Sequence, residues 1–143
     1  MRNKRGRVYV IISLFMIAVA LIISCYLFIS LRSKVEILDD ESFFDTYEVI
    51  DNEVHIYCIV SLKNNSGDSK KVKLLGDFQE EVNIGLLKED TLEAYFVEDA
   101  SSTIVIKGNS TIKYIKVEFV GEYAGNAIMS NRLLPQIEVI EID

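Results

Sequence analysis

Residues 53–63 read EVHIYCIVSLK, and this stretch decides the fold class of the chain. Apolar side chains occupy every second position: Val54, Ile56, Cys58, Val60 and Leu62. The other face carries mostly polar side chains, with one aliphatic among them: His55, Tyr57, Ile59, Ser61 and Lys63. Alternation with a period of two is typical of a β-strand that buries one face. The stretch therefore predicts a half-buried strand.

Outward from this strand, short β-branched segments recur between turn residues. We predict further strands at residues 35–38, 47–50, 70–75, 92–97, 103–107, 111–120 and 136–142. Residues 77–87 are ambiguous and have room for a helical turn. Seven to eight short strands without a crossover helix predict an all-β domain. The first choice is an immunoglobulin-like antiparallel sandwich, and a small barrel is the second.

Two turn-rich stretches predict hairpins within this domain. Residues 64–69 (NNSGDS) join the strand at 53–63 to the strand at 70–75. Residues 108–110 (GNS) join the last pair of strands before the long loop at 121–134. Gly, Asn, Ser and Asp favour tight turns, so both pairs are expected to be antiparallel neighbours.

The N-terminus has a different character. A basic segment at residues 1–7 precedes an uncharged apolar run of 24 residues at 8–31. As a helix this run would extend about 36 Å, against a hydrocarbon core of about 30 Å. We therefore predict a cytoplasmic basic tail at 1–7, a transmembrane helix at 8–31 and an extracytoplasmic domain at 32–143.

Basic residues on the two sides of the run set the expected orientation. Four cations precede it, and only Arg32 and Lys34 follow it closely. The positive-inside rule then places the N-terminus in the cytoplasm and the C-terminal domain outside the cell membrane. An alternative is a lipoprotein signal, because residues 22–25 (IISC) have a lipobox-like pattern in which Cys25 would be lipidated. Against it, the apolar run continues after Cys25.

Charge limits the partners of the exported part. From Arg32 onward the chain has 11 basic and 22 acidic residues, a net charge of −11. Nucleic acid requires clustered cations, so it is not an expected partner. The expected partners are the lipid bilayer and another envelope or membrane protein. Cys25 and Cys58 lie in different elements, so the chain is expected to fold without a disulfide.

The turn residues at the ends of two predicted strands resemble those of a known type of domain. Residues 62–66 (LKNNS) after an alternating strand, and residues 106–110 (IKGNS) leading into 117–119 (VEF), resemble the immunoglobulin-like domains of small Gram-positive envelope proteins. Those proteins have a lipobox or a single helix followed by one sandwich domain. The resemblance implies a fold and a location for residues 35–143, and it carries over no active-site residue.

Catalytic chemistry has few candidates in this sequence. His55 is the only histidine, and we interpret it as a polar strand residue; Cys58 is expected to be a buried thiol. The carboxylates are scattered without the spacing of a calcium loop, so no metal, cofactor or catalytic residue is predicted. Two carboxylates brought together by folding would make an extracytoplasmic hydrolase, which is the alternative hypothesis.

A binding surface is the remaining possibility. The loop at 121–134 is long for a connection between strands, and long loops on rigid sandwiches often carry recognition. Its Tyr123, Met129 and Arg132 have side chains of the types enriched at contact hot spots. We therefore predict a non-enzymatic, membrane-anchored binding or accessory module with these three residues as candidate partner contacts.

Overall fold

The computed structural model describes residues 4–32, 34–126 and 132–142. Contacts divide the chain into two compact units, Met1–Lys34 and Val35–Asp143. The first unit contains helix α1 (Lys4–Arg32), and its side chains from residue 12 to 27 are exposed. Among the described residues, no helix combines the length and the apolar character that crossing a membrane requires. The transmembrane helix at 8–31 stays a prediction from the sequence.

The described part of the second unit is built from eight strands and two short helices. The strands are β1 (Val35–Ile37), β2 (Phe43–Ile50), β3 (Glu53–Asn64), β4 (Lys70–Asp77), β5 (Thr91–Phe96), β6 (Ile104–Ile106), β7 (Ser110–Glu122) and β8 (Gln136–Ile142). A 3₁₀ turn (Asp39–Glu41) separates β1 from β2. Helix α2 (Gln79–Asn83) follows β4, within the segment that the sequence left ambiguous.

All eight strands pair antiparallel in one sheet. Its order is β1-β3-β7-β5-β4-β6, with β2 beside β3 and β8 beside β4. Strand β5 forms the corner, because its first half pairs with β4 and its second half pairs with β7. The sheet therefore curls into a half-barrel around its core. The predicted antiparallel all-β class is confirmed, and the immunoglobulin-like sandwich stays a prediction.

Both predicted hairpins are wrong. The structure pairs β3 with β1, β2 and β7, whereas β4 pairs with β5, β6 and β8. Each turn-rich stretch therefore connects the two halves of the curled sheet, one containing β1, β2, β3 and β7 and the other containing β4, β6 and β8. The observed hairpin joins β2 to β3 through Asp51 and Asn52, whose φ angles are 49° and 68°. Two consecutive residues with positive φ match a type I′ turn, which asparagine and aspartate tolerate.

The two crossing turns pack against each other. Asn109 N donates a hydrogen bond to Ser66 O at 2.8 Å. A Cβ atom on Gly108 would lie 2.0 Å from the carbonyl oxygen of Gly67, so the backbones meet where only glycine fits. Asn64 of β3 is 1 % exposed, and its side-chain amide donates a hydrogen bond across the curled sheet to the carbonyl oxygen of Ile106 on β6. Tertiary contacts between the turns thus replace hairpin pairing.

The core confirms the face assigned to residues 53–63. The five alternating apolar side chains of that strand are all buried. They pack with the apolar face of β7 and with Phe78, which follows β4. Phe78 and Phe119 meet edge to face with ring centroids 5.1 Å apart, a favourable aromatic geometry. This core holds in place the strands that line the candidate site.

Candidate functional site

A groove opens between the β1–β2 side of the sheet and the segment that leads into β8. Its volume is about 660 Å³. We call it the edge groove, and its lining residues are Ile37, Asp39, Ser42, Phe43, Phe44, Arg132, Leu133, Leu134, Pro135, Gln136 and Ile137. Seven of these eleven side chains are apolar. Concave, mostly apolar surfaces with a few polar groups are typical of binding sites.

The first wall of the edge groove is pinned to β3. Leu38 N donates to Ser61 O at 2.9 Å, and Ser61 N donates to Ser42 Oγ at 3.0 Å. The Ser42 hydroxyl in turn donates to Leu38 O at 2.8 Å. These bonds hold the 3₁₀ turn and the start of β2 in place. Phe44 packs against the core from this wall, while Phe43 is 50 % exposed.

The second wall is anchored by a buried ion pair. Arg132 Nη1 contacts the Glu81 carboxylate of α2, and both side chains are nearly removed from solvent. Burial lowers the pKa of Arg132 from its usual range, although the neighbouring carboxylate of Glu80 favours the charged form. Leu134 packs against the core, and Leu133 is 87 % exposed at the rim. The wall is therefore held at one residue and presents an apolar side chain at the next.

Both flanking strands have an edge that no described strand covers. In residues 34–126 and 132–142, β2 pairs only with β3 and β8 pairs only with β4. Strand β1 approaches β8 where Val35 N donates to Glu141 Oε1 at 3.4 Å. Uncovered strand edges present rows of N–H and C=O groups that can pair with another chain. The edge groove lies beside these edges.

An acidic rim adjoins the edge groove. A shallow cavity lined by residues 36–41 shares Ile37 and Asp39 with it. Glu41 is paired with Lys113 at 2.6 Å, and Glu36 has Lys63 at 4.0 Å. For Asp39 and Asp40, both exposed, the described part of the chain supplies no cation within 4.0 Å. These two carboxylates are available to an outside cation.

The three residues predicted from the loop fall in different places. Arg132 lines the edge groove but is engaged with Glu81. Tyr123 is half-buried, forms a β-bridge with Leu87 and packs against the core, and it does not line the edge groove. Met129 lies outside the described residues. Sequence reasoning missed Phe43 and Leu133, although consecutive apolar residues at a strand start and before a proline are a visible signal.

The other chemistry-bearing groups lie away from the edge groove. Burial raises the pKa of the Cys58 thiol to about 12, which agrees with the predicted buried thiol. His55 Nδ1 is 2.7 Å from Glu118 Oε1 on the outer face of β3 and β7. Cys25 is exposed on α1. Within the described residues, no cluster of three histidine, cysteine or carboxylate side chains could hold a metal ion.

The hydrolase alternative needs two facing carboxylates in one cavity. Asp39 is the carboxylate that lines the edge groove among the residues described, and the acidic rim is shallow.

Comparison with protein-family models, curated proteins and solved structures finds no match.

Proposed function

We propose that this chain is a non-enzymatic binding module of a bacterial cell envelope, held in the membrane by its N-terminal helix. The N-terminus lies in the cytoplasm, and residues 32–143 lie outside. The uncharged run at 8–31 and the basic tail at 1–7 support the anchor and its orientation. The edge groove carries the binding role, because an apolar concave surface beside uncovered strand edges is suited to a protein partner.

The family and the anchor belong to the same proposal. The antiparallel strands support the resemblance to small Gram-positive envelope proteins, in which one immunoglobulin-like domain follows a lipobox or helix. Intact mass of the mature chain separates the helix anchor from the lipoprotein alternative, since lipidation at Cys25 would remove the residues before it.

Labelling in intact cells tests the orientation. In a Cys25→Ser background, single cysteines are introduced at Asn3 and at Ser69, which is exposed beyond β3. Cys58 stays silent because it is buried. A membrane-impermeant maleimide is expected to label Ser69→Cys in intact cells and Asn3→Cys only after lysis. The reverse pattern, or recovery of the chain in the soluble fraction, contradicts the proposed location.

Photo-cross-linking tests the binding role. A photoreactive amino acid replaces Leu133 at the edge groove or, as a control, Val105 on β6. Both side chains are exposed, at 87 % and 58 %, so neither replacement disturbs the core. Irradiation is expected to give a discrete cross-linked envelope protein from Leu133 that is absent from Val105. Equal products from both positions contradict a partner site at the edge groove.

A further inference from the structure

We propose that the edge groove takes an extended peptide segment of another protein in which apolar residues alternate with lysine or arginine. This inference rests on the binding role proposed above and names the chemistry of its partner. Three observations carry it: uncovered strand edges, an apolar floor and unpaired carboxylates at one end.

The strand edges select an extended partner. In the described chain, β2 and β8 each pair on one side only, and they flank the edge groove. A peptide that enters as a strand satisfies its own N–H and C=O groups against such an edge, which is recognition by strand addition. A helical partner satisfies its backbone internally and leaves the edge groups of the sheet exposed. Strand β2 is eight residues long, enough to pair with an ordinary strand, and its first two residues, Phe43 and Phe44, line the edge groove.

The floor selects apolar side chains. Ile37, Phe44, Leu134 and Ile137 pack against the core and are only partly covered. Phe43 and Leu133 are exposed on opposite walls, at 50 % and 87 %. Successive side chains of a strand point to opposite faces, so every second residue of the peptide would face this floor. An apolar residue there removes the partly exposed surface from water.

The rim selects basic side chains. Asp39 and Asp40 have no cation within 4.0 Å among the described residues, and the exported part carries a net charge of −11. A lysine or arginine next to the apolar position would reach these carboxylates. A second copy of this chain brings the same acidic net charge and offers no basic side chain on β2, which carries Glu48 and an Asp45 that is already paired with Lys116. Like charges directly opposite across a strand pair are destabilising, so the charge favours a different, basic chain.

Peptide binding to the full-length chain in phosphatidylcholine nanodiscs tests this inference. The probe is a fluorescent peptide of about eight residues that alternates isoleucine and lysine. Its counterpart alternates isoleucine and glutamate, and empty nanodiscs correct for lipid binding. Fluorescence anisotropy is expected to show binding of the lysine peptide alone. Its affinity is expected to fall as salt is raised, because salt screens exposed charges.

Variants of the edge groove test separately the charge of its acidic rim and its apolar surface. Asp39→Asn with Asp40→Asn is expected to weaken the lysine peptide about tenfold, since two exposed ion pairs are lost. Glu98→Gln with Asp99→Asn, two exposed carboxylates in the turn after β5, is the matched control and is expected to have no effect. Leu133→Asp is expected to abolish binding, with unchanged thermal unfolding as the check on folding.

The outcomes distinguish this inference from the proposed function. Equal binding of both peptides, no peptide binding, or no effect of the Asp39 and Asp40 changes overturns the basic partner. The binding role still stands in those cases if Leu133 cross-links an envelope protein. A dimer that Leu133→Asp dissociates would assign the edge groove to self-association and overturn the inference. If Leu133→Asp leaves peptide binding unchanged and the photoreactive residue at position 133 captures no envelope protein, both proposals fail.

Discussion

Replacing Asn64 by aspartate tests the contact that joins the two sides of the curled sheet. The Asn64 amide nitrogen donates to Asp68 O at 2.8 Å and to Ile106 O at 3.0 Å. Its carbonyl oxygen accepts from Ser66 N at 2.9 Å and from Ser66 Oγ at 2.7 Å. Asn64→Asp keeps the shape of the side chain and its accepting oxygen. It replaces the amide nitrogen, which donates to two carbonyl oxygens, by a carboxylate oxygen that cannot donate.

The magnitude follows from these four hydrogen bonds. Two donated bonds are lost, at about 1 kcal/mol each. The buried acceptors and the introduced carboxylate add about 1–3 kcal/mol, because Asn64 is 1 % exposed. We therefore expect Asn64→Asp to lower the free energy of unfolding by about 3–5 kcal/mol near neutral pH. Asn109→Asp, in the exposed crossing turn, should change it by less than about 0.5 kcal/mol.

The effect should depend on pH with a defined sign. Burial beside carbonyl oxygens raises the pKa of the introduced carboxyl in the folded state above its ordinary value of about 3.9. The folded state then binds more protons than the unfolded state, so stability falls as pH rises above about 4. At lower pH the protonated group donates one bond again, and the difference from the parent chain should shrink.

The assay is urea unfolding of the full-length chain in detergent, followed by far-UV circular dichroism at several pH values. Parent, Asn64→Asp and Asn109→Asp are compared at equal detergent. A loss below about 1 kcal/mol at neutral pH for Asn64→Asp, or a loss that grows toward acid pH, would refute the role assigned to this side chain.

Three further predictions concern the turns and the core. Gly108→Ala should lower the urea midpoint of unfolding strongly, and Gly67→Ala should not. Of these two positions, only Gly108 would bring the added Cβ against a backbone oxygen. Equal midpoints for the two variants would contradict this contact. Glu81→Gln should destabilise by about 3 kcal/mol because it removes the charge paired with a buried guanidinium, whereas Glu98→Gln, at an exposed position in the turn after β5, should be nearly neutral in the same unfolding assay. Iodoacetamide should modify Cys58 only in urea, since burial raises the pKa of its thiol to about 12; mass spectrometry that finds rapid native modification would disprove its burial.

Strand positions could be predicted because their signal is local. Residues 53–63 alternate in the sequence, and β3 runs from Glu53 to Asn64 with that face buried. Residues 136–142 were predicted as a strand and form β8. Strand β2 begins at Phe43, four residues before the predicted start, because its first half lacks alternation and is held by pairing with β3.

Strand partners could not be predicted, since pairing depends on which distant faces share a core. The turn at 64–69 has the composition of a hairpin, but the buried amide of Asn64 and the contact between Gly67 and Gly108 make it a crossing. The turn at Asp51 and Asn52 has fewer turn residues, and it forms the observed hairpin.

In the candidate site, too, residue type could be recognised from the sequence, whereas the position of each residue relative to the others could not. Arg132 was selected for its residue type, and its side chain lies in the wall of the edge groove, paired with a glutamate 51 positions earlier in the sequence. Phe43 and Leu133 became site residues only because β2 and the segment before β8 lie side by side. Nothing in the local pattern around either residue specifies the other.

By itself, the sequence determined the apolar N-terminal run, the acidic charge of residues 32–143 and the strands with their buried face. These properties depend on residues close together in the chain, where period and composition act directly. Only the tertiary structure decided which strands pair, which turns cross between the sides of the sheet and where the edge groove opens. Those features depend on contacts between residues far apart, and their free energy comes from packing that no local pattern encodes.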